Sequence, residues 1–231
     1  MLIESRELIG TNLHSPDGDL GTVSSILFDD LEWVVRYVEI EHGGWLPGRR
    51  LILSPQEIMW TERDARGAPV RLPRARLADS PHIEAGSPVT RQDESLLAGC
   101  FAWPPYWAEY GIDEEEPRLQ SVDRLTGCAV AAPERKLGEV ASLFLDTRDW
   151  AIRYLVVDVT EWLPGRRVLL SPAWIEEARW EDFILAADVG AEEVRRAPPA
   201  PLNSTLKREY EQRLFEHYGR PGYWTPAAVF H

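Results

Sequence analysis

The chain contains little cysteine: Cys100 and Cys128 are the only two among its 231 residues. Small secreted domains usually carry more cysteines, in even numbers, because disulfides supplement a core that a short chain cannot build. We therefore expect both thiols to be reduced. The alternative, a reactive nucleophile, requires a nearby base, and the sequence shows no Cys-His pairing.

Histidines are also few, and the spacing of His14, His42, His82, His217 and His231 forms no His-x-x-x-His motif. A Cys-x-x-Cys motif is missing as well, and these are the patterns that commonly bind zinc. The sequence also lacks a glycine-rich phosphate loop and a Gly-x-Ser-x-Gly turn. It therefore predicts no metal, no cofactor and no enzymatic activity, although sites that form only on folding leave no local motif.

Long apolar runs are absent, and none approaches the roughly 18–20 residues that cross a bilayer. The opening segment, Met1–Glu7, carries acidic residues and lacks the apolar stretch of a secretory signal. We therefore expect a cytoplasmic protein without an integral membrane segment. Peripheral contact with a membrane complex stays open.

The chain has fewer basic than acidic residues. It contains 25 lysines and arginines and 38 aspartates and glutamates, which gives a net charge of −13. Because nucleic acids and anionic membranes are bound through lysine and arginine, neither is an expected partner. Residues 1–117 hold 10 basic and 21 acidic residues, a net charge of −11, whereas residues 118–231 hold 15 and 17, a net charge of −2. A basic partner would prefer the first half, unless the acids serve only solubility.

The sequence does contain an internal repeat with a constant offset of 117 residues. Its clearest part is Trp45–Arg50, which recurs unchanged as Trp162–Arg167. Other pairs at this offset, all without gaps, are Leu20-Gly21 with Leu137-Gly138, Asp29 with Asp146, Trp33 with Trp150, Arg36-Tyr37 with Arg153-Tyr154, Ser54-Pro55 with Ser171-Pro172, and Tyr106-Trp107 with Tyr223-Trp224. We expect two similar domains, residues 1–110 and 118–231, joined by an acidic, extended linker at 111–117.

Short segments rich in β-branched and aromatic residues predict strands. In the first copy these are Ile9–His14, Leu20–Phe28, Trp33–Ile40, Leu51–Leu53 and Ile58–Trp60, and in the second Ala151–Val159, Val168–Leu170 and a segment from Ile175 onward. Asp17-Gly18 is a hairpin-turn signal. Short, closely spaced strands favour a mainly β protein built from two tandem small barrels.

Each copy is predicted to end in a short helical tail that closes on a Tyr-Trp pair. In the second copy a cap at Asn203 or Ser204 and a stop at Gly219 bound the predicted helix. Its apolar stripe is Leu206, Tyr210, Leu214 and Tyr218. In the first copy, Thr90 to Asp93 is a candidate capping box before a weaker helix. We expect the C-terminal tail to dock on its own barrel, on the sister barrel or on a second molecule.

Several of these motifs together resemble the PRC-barrel family, the β-barrel named after the H subunit of the photosynthetic reaction centre. The resembling segments are Asp17–Gly21, Phe28–Asp30, Trp33–Tyr37 and Trp45–Pro55 in the first copy, and Leu145-Asp146, Trp150–Asp158 and Trp162–Pro172 in the second. The tails Trp103–Trp107 and Arg220–Trp224 are similar to those of bacterial tandem PRC-barrel proteins. The resemblance covers nearly the whole chain.

The resemblance implies a protein-contact module without shared catalytic residues. In reaction centres such a barrel caps the membrane complex, and a related barrel in ribosome-maturation factors serves assembly. We expect neither the membrane helix of the first nor the additional N-terminal domain of the second from these 231 residues, so neither specific role follows directly. An accessory role near photosynthetic or electron-transport complexes is therefore one alternative among several.

The Trp-Leu-Pro-Gly-Arg-Arg turn supplies the candidate contact residues. Proline and glycine favour a tight reversal that leaves two adjacent arginines at the start of a strand. Paired guanidinium groups suit a carboxylate or a phosphate, and tryptophan suits a protein interface. The alternative is that one arginine pairs with a carboxylate of the barrel, such as Asp29 or Asp146, while the other lies over tryptophan. The candidate residues for a partner or an anion are Arg49, Arg50, Arg166, Arg167, Trp45 and Trp162.

Three functions remain open from the sequence. The first is a non-catalytic adaptor or assembly module that binds an unknown protein, or a second copy of itself as a homodimer. The second is binding of a small molecule or an anion between the two barrels. The third is an enzyme, which requires clustered titratable groups with shifted pKa values.

Overall fold

The computed structural model describes residues 1–47, 49–84, 87–109, 119–201 and 206–225. Within these residues strand exceeds helix, so the prediction of a mainly β protein is confirmed. The predicted linker at 111–117 and the predicted helix cap at residues 203–204 lie outside the described ranges. No helix in the described ranges is long and apolar enough to span a bilayer.

The elements follow the same order in both copies, except that the second copy has one additional strand at Ile175–Arg179. The strands are β1 (Leu2–Glu4), β2 (Asn12–Ser15), β3 (Gly18–Asp29), β4 (Val34–Glu41), β5 (Leu51–Leu53), β6 (Ala68–Pro69), β7 (Leu119–Ser121), β8 (Ala129–Ala132), β9 (Arg135–Asp146), β10 (Ile152–Asp158), β11 (Arg167–Leu170), β12 (Ile175–Arg179) and β13 (Ile184–Ala187). The α-helices are α1 (Ser5–Leu8), α2 (Arg74–Ala78), α3 (Arg91–Phe101), α4 (Val122–Leu125), α5 (Ala191–Arg196) and α6 (Arg208–His217).

The chain forms two compact units whose boundaries differ from those of the two sequence copies. The N-terminal unit contains Arg6–Asp123 together with Asp149–Ala151. The C-terminal unit contains Arg124–Arg148 and Ile152–His231 together with Met1–Ser5. Each unit is therefore completed by a short segment of the other copy.

Each copy begins with a short strand that pairs with a strand of the other copy, and we call these two the exchanged strands. In the C-terminal unit, β1 pairs antiparallel with β9, and Ile3 lies opposite Leu145. In the N-terminal unit, β7 pairs antiparallel with β3, and Gln120 lies opposite Phe28. The two pairings have the same register, because Ile3 and Gln120 are 117 residues apart, as are Phe28 and Leu145. Neither strand was predicted from the sequence.

The rest of each sheet follows a shared path. The strand order is β5-β4-β3-β2-β6 in the N-terminal unit and β11-β10-β9-β8-β13-β12 in the C-terminal unit. The pairings of β2 with β6 and of β8 with β13 are parallel, and the other pairings along both paths are antiparallel. The strand predicted at Ile58–Trp60 is wrong: Ile58 makes an isolated bridge to Val70, and a 3-10 turn begins at Trp60.

Neither sheet closes on itself by strand pairing within the described residues, whereas the sequence predicts closed barrels. Proline limits the length of the strand at one edge of each sheet. Strand β5 runs into Ser54-Pro55 and β11 into Ser171-Pro172, and both segments turn into 3-10 helix. A proline has no amide hydrogen with which to extend a ladder.

The glycine of the Leu-Gly pair is required by close backbone packing in both units. A Cβ atom at Gly21 would lie 2.0 Å from the carbonyl oxygen of Glu41, and one at Gly138 would lie 2.1 Å from that of Asp158. Any larger residue would push β3 away from β4, or β9 away from β10. These glycines therefore hold the central strand pair of each sheet together.

Helices α3 and α6 occupy equivalent positions in the two tails. The predicted capping box is present at α3, where Thr90 and Asp93 bond each other's backbone amides. Helix α6 ends as predicted, because Gly219 adopts a positive φ of 61°. Within the described tail, Tyr210 and Leu214 are buried, and the Tyr210 hydroxyl donates to the carbonyl of Pro198 at 3.2 Å. The described tail thus packs on its own copy.

Candidate functional site

The tryptophans of the Trp-Leu-Pro-Gly-Arg-Arg turns fasten each turn to its own sheet. The Trp45 indole N–H donates to the carbonyl of Leu20 at 3.0 Å, and that of Trp162 donates to the carbonyl of Leu137 at 2.5 Å. The guanidinium groups over these rings belong to Arg74 and Arg135. The sequence alternative expected a turn arginine to lie over each tryptophan. The arginines that stack on these rings instead come from other segments.

The turn arginines also contact groups of their own unit. Arg49 donates to the carbonyls of Ala78 and Ser80, and Arg166 donates to that of Ala197. These three carbonyls lie at the ends of α2 and α5, so the first arginine of each pair ties a short helix to the turn.

The second arginine of each pair has a carboxylate partner. Arg50 forms a bidentate pair with Glu39, with both N–O distances 2.7 Å, and Arg167 lies 3.3 Å from Asp158. Both partners are carboxylates of the sheets, as the alternative expected, although they are not the Asp29 and Asp146 that it gave as examples. The turn arginines therefore have structural contacts, and their expected role toward a partner or an anion stays a prediction.

Asp29 and Asp146 have turn roles at the ends of β3 and β9. Asp29 accepts the amide of Leu31 at 2.8 Å, and Asp146 accepts that of Arg148 at 3.2 Å. Burial of Asp146 would raise its pKa, but hydrogen bonds from the Arg148 side chain and from the N-terminal ammonium hold that pKa well below its ordinary value. Both carboxylates thus stabilise tight turns.

A buried carboxylate that sequence reasoning missed lies at the centre of the N-terminal unit's tail contact. Glu94 of α3 is fully buried, and Arg91 one turn earlier lies 2.6 Å from it. The Tyr106 hydroxyl donates to the Glu94 Oε1 atom at 2.7 Å, and burial together with the charge of Glu94 raises the pKa of Tyr37 in β4. One acidic side chain therefore joins sheet, helix and aromatic tail.

The C-terminal unit repeats this network at the offset of 117. Glu211 is buried and accepts from Tyr154 and Tyr223, both at 2.8 Å, while Arg208 lies 3.1 Å away. The signal was present in the sequence as two Arg-x-x-Glu pairs, Arg91 with Glu94 and Arg208 with Glu211, each followed by Tyr-Trp. Only the Tyr-Trp part was recognised.

Burial dominates the titration of these groups. It raises the pKa of the Glu94 carboxyl above its ordinary value, although the hydrogen bond from Tyr106 and the charge of Arg91 oppose the shift. Burial and the nearby carboxylate also raise the pKa values of the Tyr37 and Tyr106 hydroxyls, and the pKa of Tyr223 rises to about 12. The tyrosines are therefore neutral donors, which suits a structural network better than proton transfer at neutral pH.

A surface pocket of about 210 Å³ lies beside this network in the N-terminal unit. Five of its lining residues are aromatic: Tyr37, Trp103, Tyr106, Trp107 and Trp150. The other lining residues include Ala98 of α3 and the polar side chains of Ser54, Gln56 and Asp149. Trp150 comes from the exchanged segment of the second copy, and its carbonyl accepts the amide of Val35 at 2.8 Å. The exchange between copies therefore helps to build the pocket.

Arg36 adds a charged group to the same wall, and its charge is already compensated. Its guanidinium lies 3.8 Å from the centre of the Tyr106 ring, 2.6 Å from Glu32 and 3.5 Å from Asp29. The pocket therefore presents aromatic faces and no excess positive charge, which favours an apolar or aromatic group over an anion.

No group of three or more histidine, cysteine or acidic side chains suited to a metal occurs in the described part of the chain. Cys100 and Cys128 are free thiols, and burial raises the pKa of Cys128, which disfavours its thiolate. No protein-family model and no curated protein matches this chain.

Proposed function

We propose that the chain is a tandem PRC-barrel protein that acts as a non-catalytic adaptor and binds another protein. The gapless repeat and the similar strand order of the two sheets support a tandem duplication, and the family assignment rests on the resemblance of the sequence motifs. The aromatic pocket of the N-terminal unit is the observation that supports the binding function. Aromatic pockets on a rigid frame are where a protein partner commonly places its dominant contact.

The frame around the pocket is suited to this role. Tyr106 is positioned by its bond to Glu94, and Trp107 packs under the Arg91 guanidinium at 4.6 Å. Trp103 is fixed by an indole hydrogen bond to Glu57 at 2.9 Å. Aromatic side chains held in this way lose little conformational entropy when a partner binds.

The test is affinity capture from a lysate of cells that express this chain naturally, followed by mass spectrometry. The captured protein is then purified and its dissociation constant measured against the wild type and against Trp103→Arg, which places at 103 the residue found at 220 in the sister unit. The control is Phe183→Arg, which changes an exposed aromatic residue of the C-terminal unit to the residue found at 66.

We expect Trp103→Arg to weaken binding by about tenfold or more, because aromatic anchors dominate interface energies. The control should bind like the wild type. Equal binding by all three proteins would move the interface away from the pocket. Failure to capture any protein that then binds in purified form would contradict the adaptor function.

A further inference from the structure

The two units differ at one position that decides whether this site is filled or open. Helix α6 of the C-terminal unit carries Phe215, and the equivalent residue of α3 in the N-terminal unit is Ala98. The surrounding side chains are the same in kind: Tyr154, Tyr223 and Trp224 in one unit correspond to Tyr37, Tyr106 and Trp107 in the other. The two units thus offer similar aromatic walls with and without a phenyl ring.

In the C-terminal unit the Phe215 ring is buried within those walls. Its centroid lies 6.3 Å from that of Tyr154, 6.4 Å from that of Tyr223 and 5.1 Å from that of Trp224, in each case with the ring edge toward the face of its neighbour. Such edge-to-face contacts are favourable beyond the burial of apolar area. The site is therefore chemically suited to a benzenoid ring.

In the N-terminal unit the equivalent walls line the open pocket. Tyr37, Tyr106 and Trp107 all face it, together with the single methyl group of Ala98. Its volume of about 210 Å³ exceeds that of an engineered apolar cavity of about 150 Å³ that binds benzene. The space is large enough for one ring.

A second aromatic difference between the units does not account for the pocket. In the C-terminal unit Trp174 packs on Tyr218 with a centroid distance of 4.5 Å. In the N-terminal unit Trp103 stacks on Phe101, the equivalent of Tyr218, at 4.6 Å. Trp103 therefore takes over the stacking contact of Trp174 from a different chain position, and it also lies 6.3 Å from Tyr37, as Phe215 does from Tyr154. The space beside Tyr106 and Trp107, where the sister unit places Phe215 against Tyr223 and Trp224, is the open pocket.

We propose that the pocket of the N-terminal unit binds an aromatic ring, of the size of a phenylalanine or tyrosine side chain, presented by the partner protein. This inference rests on the proposed adaptor function for the source of the ring. The occupant is indicated by the sister unit, which supplies the same ring from within its own chain.

The test uses the full chain and the probe N-acetyl-4-fluorophenylalanine amide, followed by ¹⁹F NMR. Ala98→Phe fills the pocket with the ring that the sister unit carries, and Ala98→Val fills part of it with less crowding. The cyclohexyl analogue, N-acetyl-cyclohexylalanine amide, is added as a test competitor, because its ring is similar in size and has no π electrons. Phe215→Ala, checked for folding by hydrogen exchange, should open the same site in the C-terminal unit.

We expect the wild type to shift and broaden the probe resonance, Ala98→Val to bind more weakly, and Ala98→Phe to lose binding by about tenfold or more. A folded Phe215→Ala should bind two probes, and the cyclohexyl compound should compete poorly. Equal responses of the wild type and both Ala98 variants would overturn the inference.

The inference and the adaptor function can fail separately. A partner that binds the wild type and Ala98→Phe equally well would overturn the ring inference and leave the adaptor function in place. A probe response that depends on residue 98, in a protein that captures no partner, would support the ring site and contradict the adaptor function.

Discussion

The two units share the same central strands, tail helix and buried Arg-x-x-Glu network, which form a common frame. They differ in the aromatic side chains packed around the tail helix, which we call the aromatic layer. Glu57 and Trp103 of the N-terminal unit are replaced by Trp174 and Arg220 in the C-terminal unit. The first pair makes a hydrogen bond of 2.9 Å, and in the second the Arg220 guanidinium lies 5.5 Å from the Trp174 ring centre. The change at one position is matched by a change at the other, so each unit keeps one tryptophan in the layer.

The exchange of Phe215 for Ala98 has no such match. Packed interiors leave few voids larger than a water molecule, so an aromatic layer that lacks one ring is unusual. A substitution with a compensating partner preserves packing, whereas an uncompensated one changes the shape of the surface, here at the pocket.

The largest effect is expected from removing the buried carboxylates. Glu94→Ala leaves the Arg91 side chain, only 6% exposed, without its counter-charge, whereas Glu211→Ala leaves Arg208, whose side chain is 41% exposed and can be hydrated. We expect the free energy of unfolding to fall by about 3–5 kcal/mol for the N-terminal unit and by about 1–2 kcal/mol for the C-terminal unit.

Urea denaturation, with hydrogen exchange to separate the units, measures both losses. Glu94→Gln and Glu211→Gln are the matched controls, because an amide oxygen still accepts the tyrosine hydroxyls. Equal losses for the two alanine variants would mean that burial of the arginine does not set the cost.

A smaller effect is expected from the exchanged strands. Ile3 is buried in the C-terminal unit, so Ile3→Ala should lower the stability of that unit by about 2–4 kcal/mol and speed hydrogen exchange in β9. Gln120→Ala, the equivalent change in β7, should cost less because Gln120 is only half-buried. Faster exchange in β3 after Ile3→Ala would show that the first strand pairs within its own copy.

The response to pH should differ in sign between the units. The pKa of Glu94 is raised from its ordinary value of 4.5, mainly by burial, so its protonated form is favoured by folding. Its contribution is fully present below pH 4.5 and is lost as the pH rises through the raised pKa. The pKa of Asp146 is depressed below 3.8, so its contribution is present above that pH and is lost as the pH falls through the depressed value.

Hydrogen exchange between pH 3 and pH 7 follows the Glu94 contribution. Urea denaturation from pH 4 down to pH 2 follows the contribution of Asp146, which is lost only below pH 3.8. Acidification should protonate Glu94 and so raise the free energy of unfolding of the N-terminal unit. Glu94→Gln should abolish this increase. Asp146→Asn should remove the acid-sensitive term of the C-terminal unit. Parallel pH profiles for Glu94→Gln and the wild type in the N-terminal unit would refute the assignment to Glu94.

Local patterns in the sequence predicted the local structure well. The β-branched segments Leu20–Phe28 and Trp33–Ile40 lie within or close to β3 and β4, and Thr90 and Asp93 cap α3 as their spacing indicated. The exchanged strands could not be predicted, because a strand of three residues has too few positions to show a period of two. Its partner, moreover, lies on the other copy.

The pocket was beyond sequence reasoning for a different reason. Ala98 occupies an ordinary helix position, and alanine is the commonest choice there on propensity alone. Its significance depends on a comparison with Phe215 in a shared three-dimensional frame. The repeat supplied that comparison, but the contacts of Phe215 had to be known before a missing ring could be recognised.

The smallest effect is expected from transplanting the compensated pair. Glu57→Trp alone adds a ring beside Trp103, and Trp103→Arg alone removes the stack on Phe101, so each single change should destabilise the N-terminal unit. Together they recreate the Trp174–Arg220 arrangement, in which the new tryptophan stacks on Phe101 and the arginine lies over it. The coupling energy from a double-mutant cycle should be favourable by about 0.5–1.5 kcal/mol, the range for neighbouring side chains that share a contact. Adding Ala98→Phe to the double variant should then complete the layer and abolish probe binding without further loss of stability. Strict additivity of the two single changes would mean that the tryptophan has not moved between the two chain positions, and that Trp103 and Trp174 fill different parts of their layers.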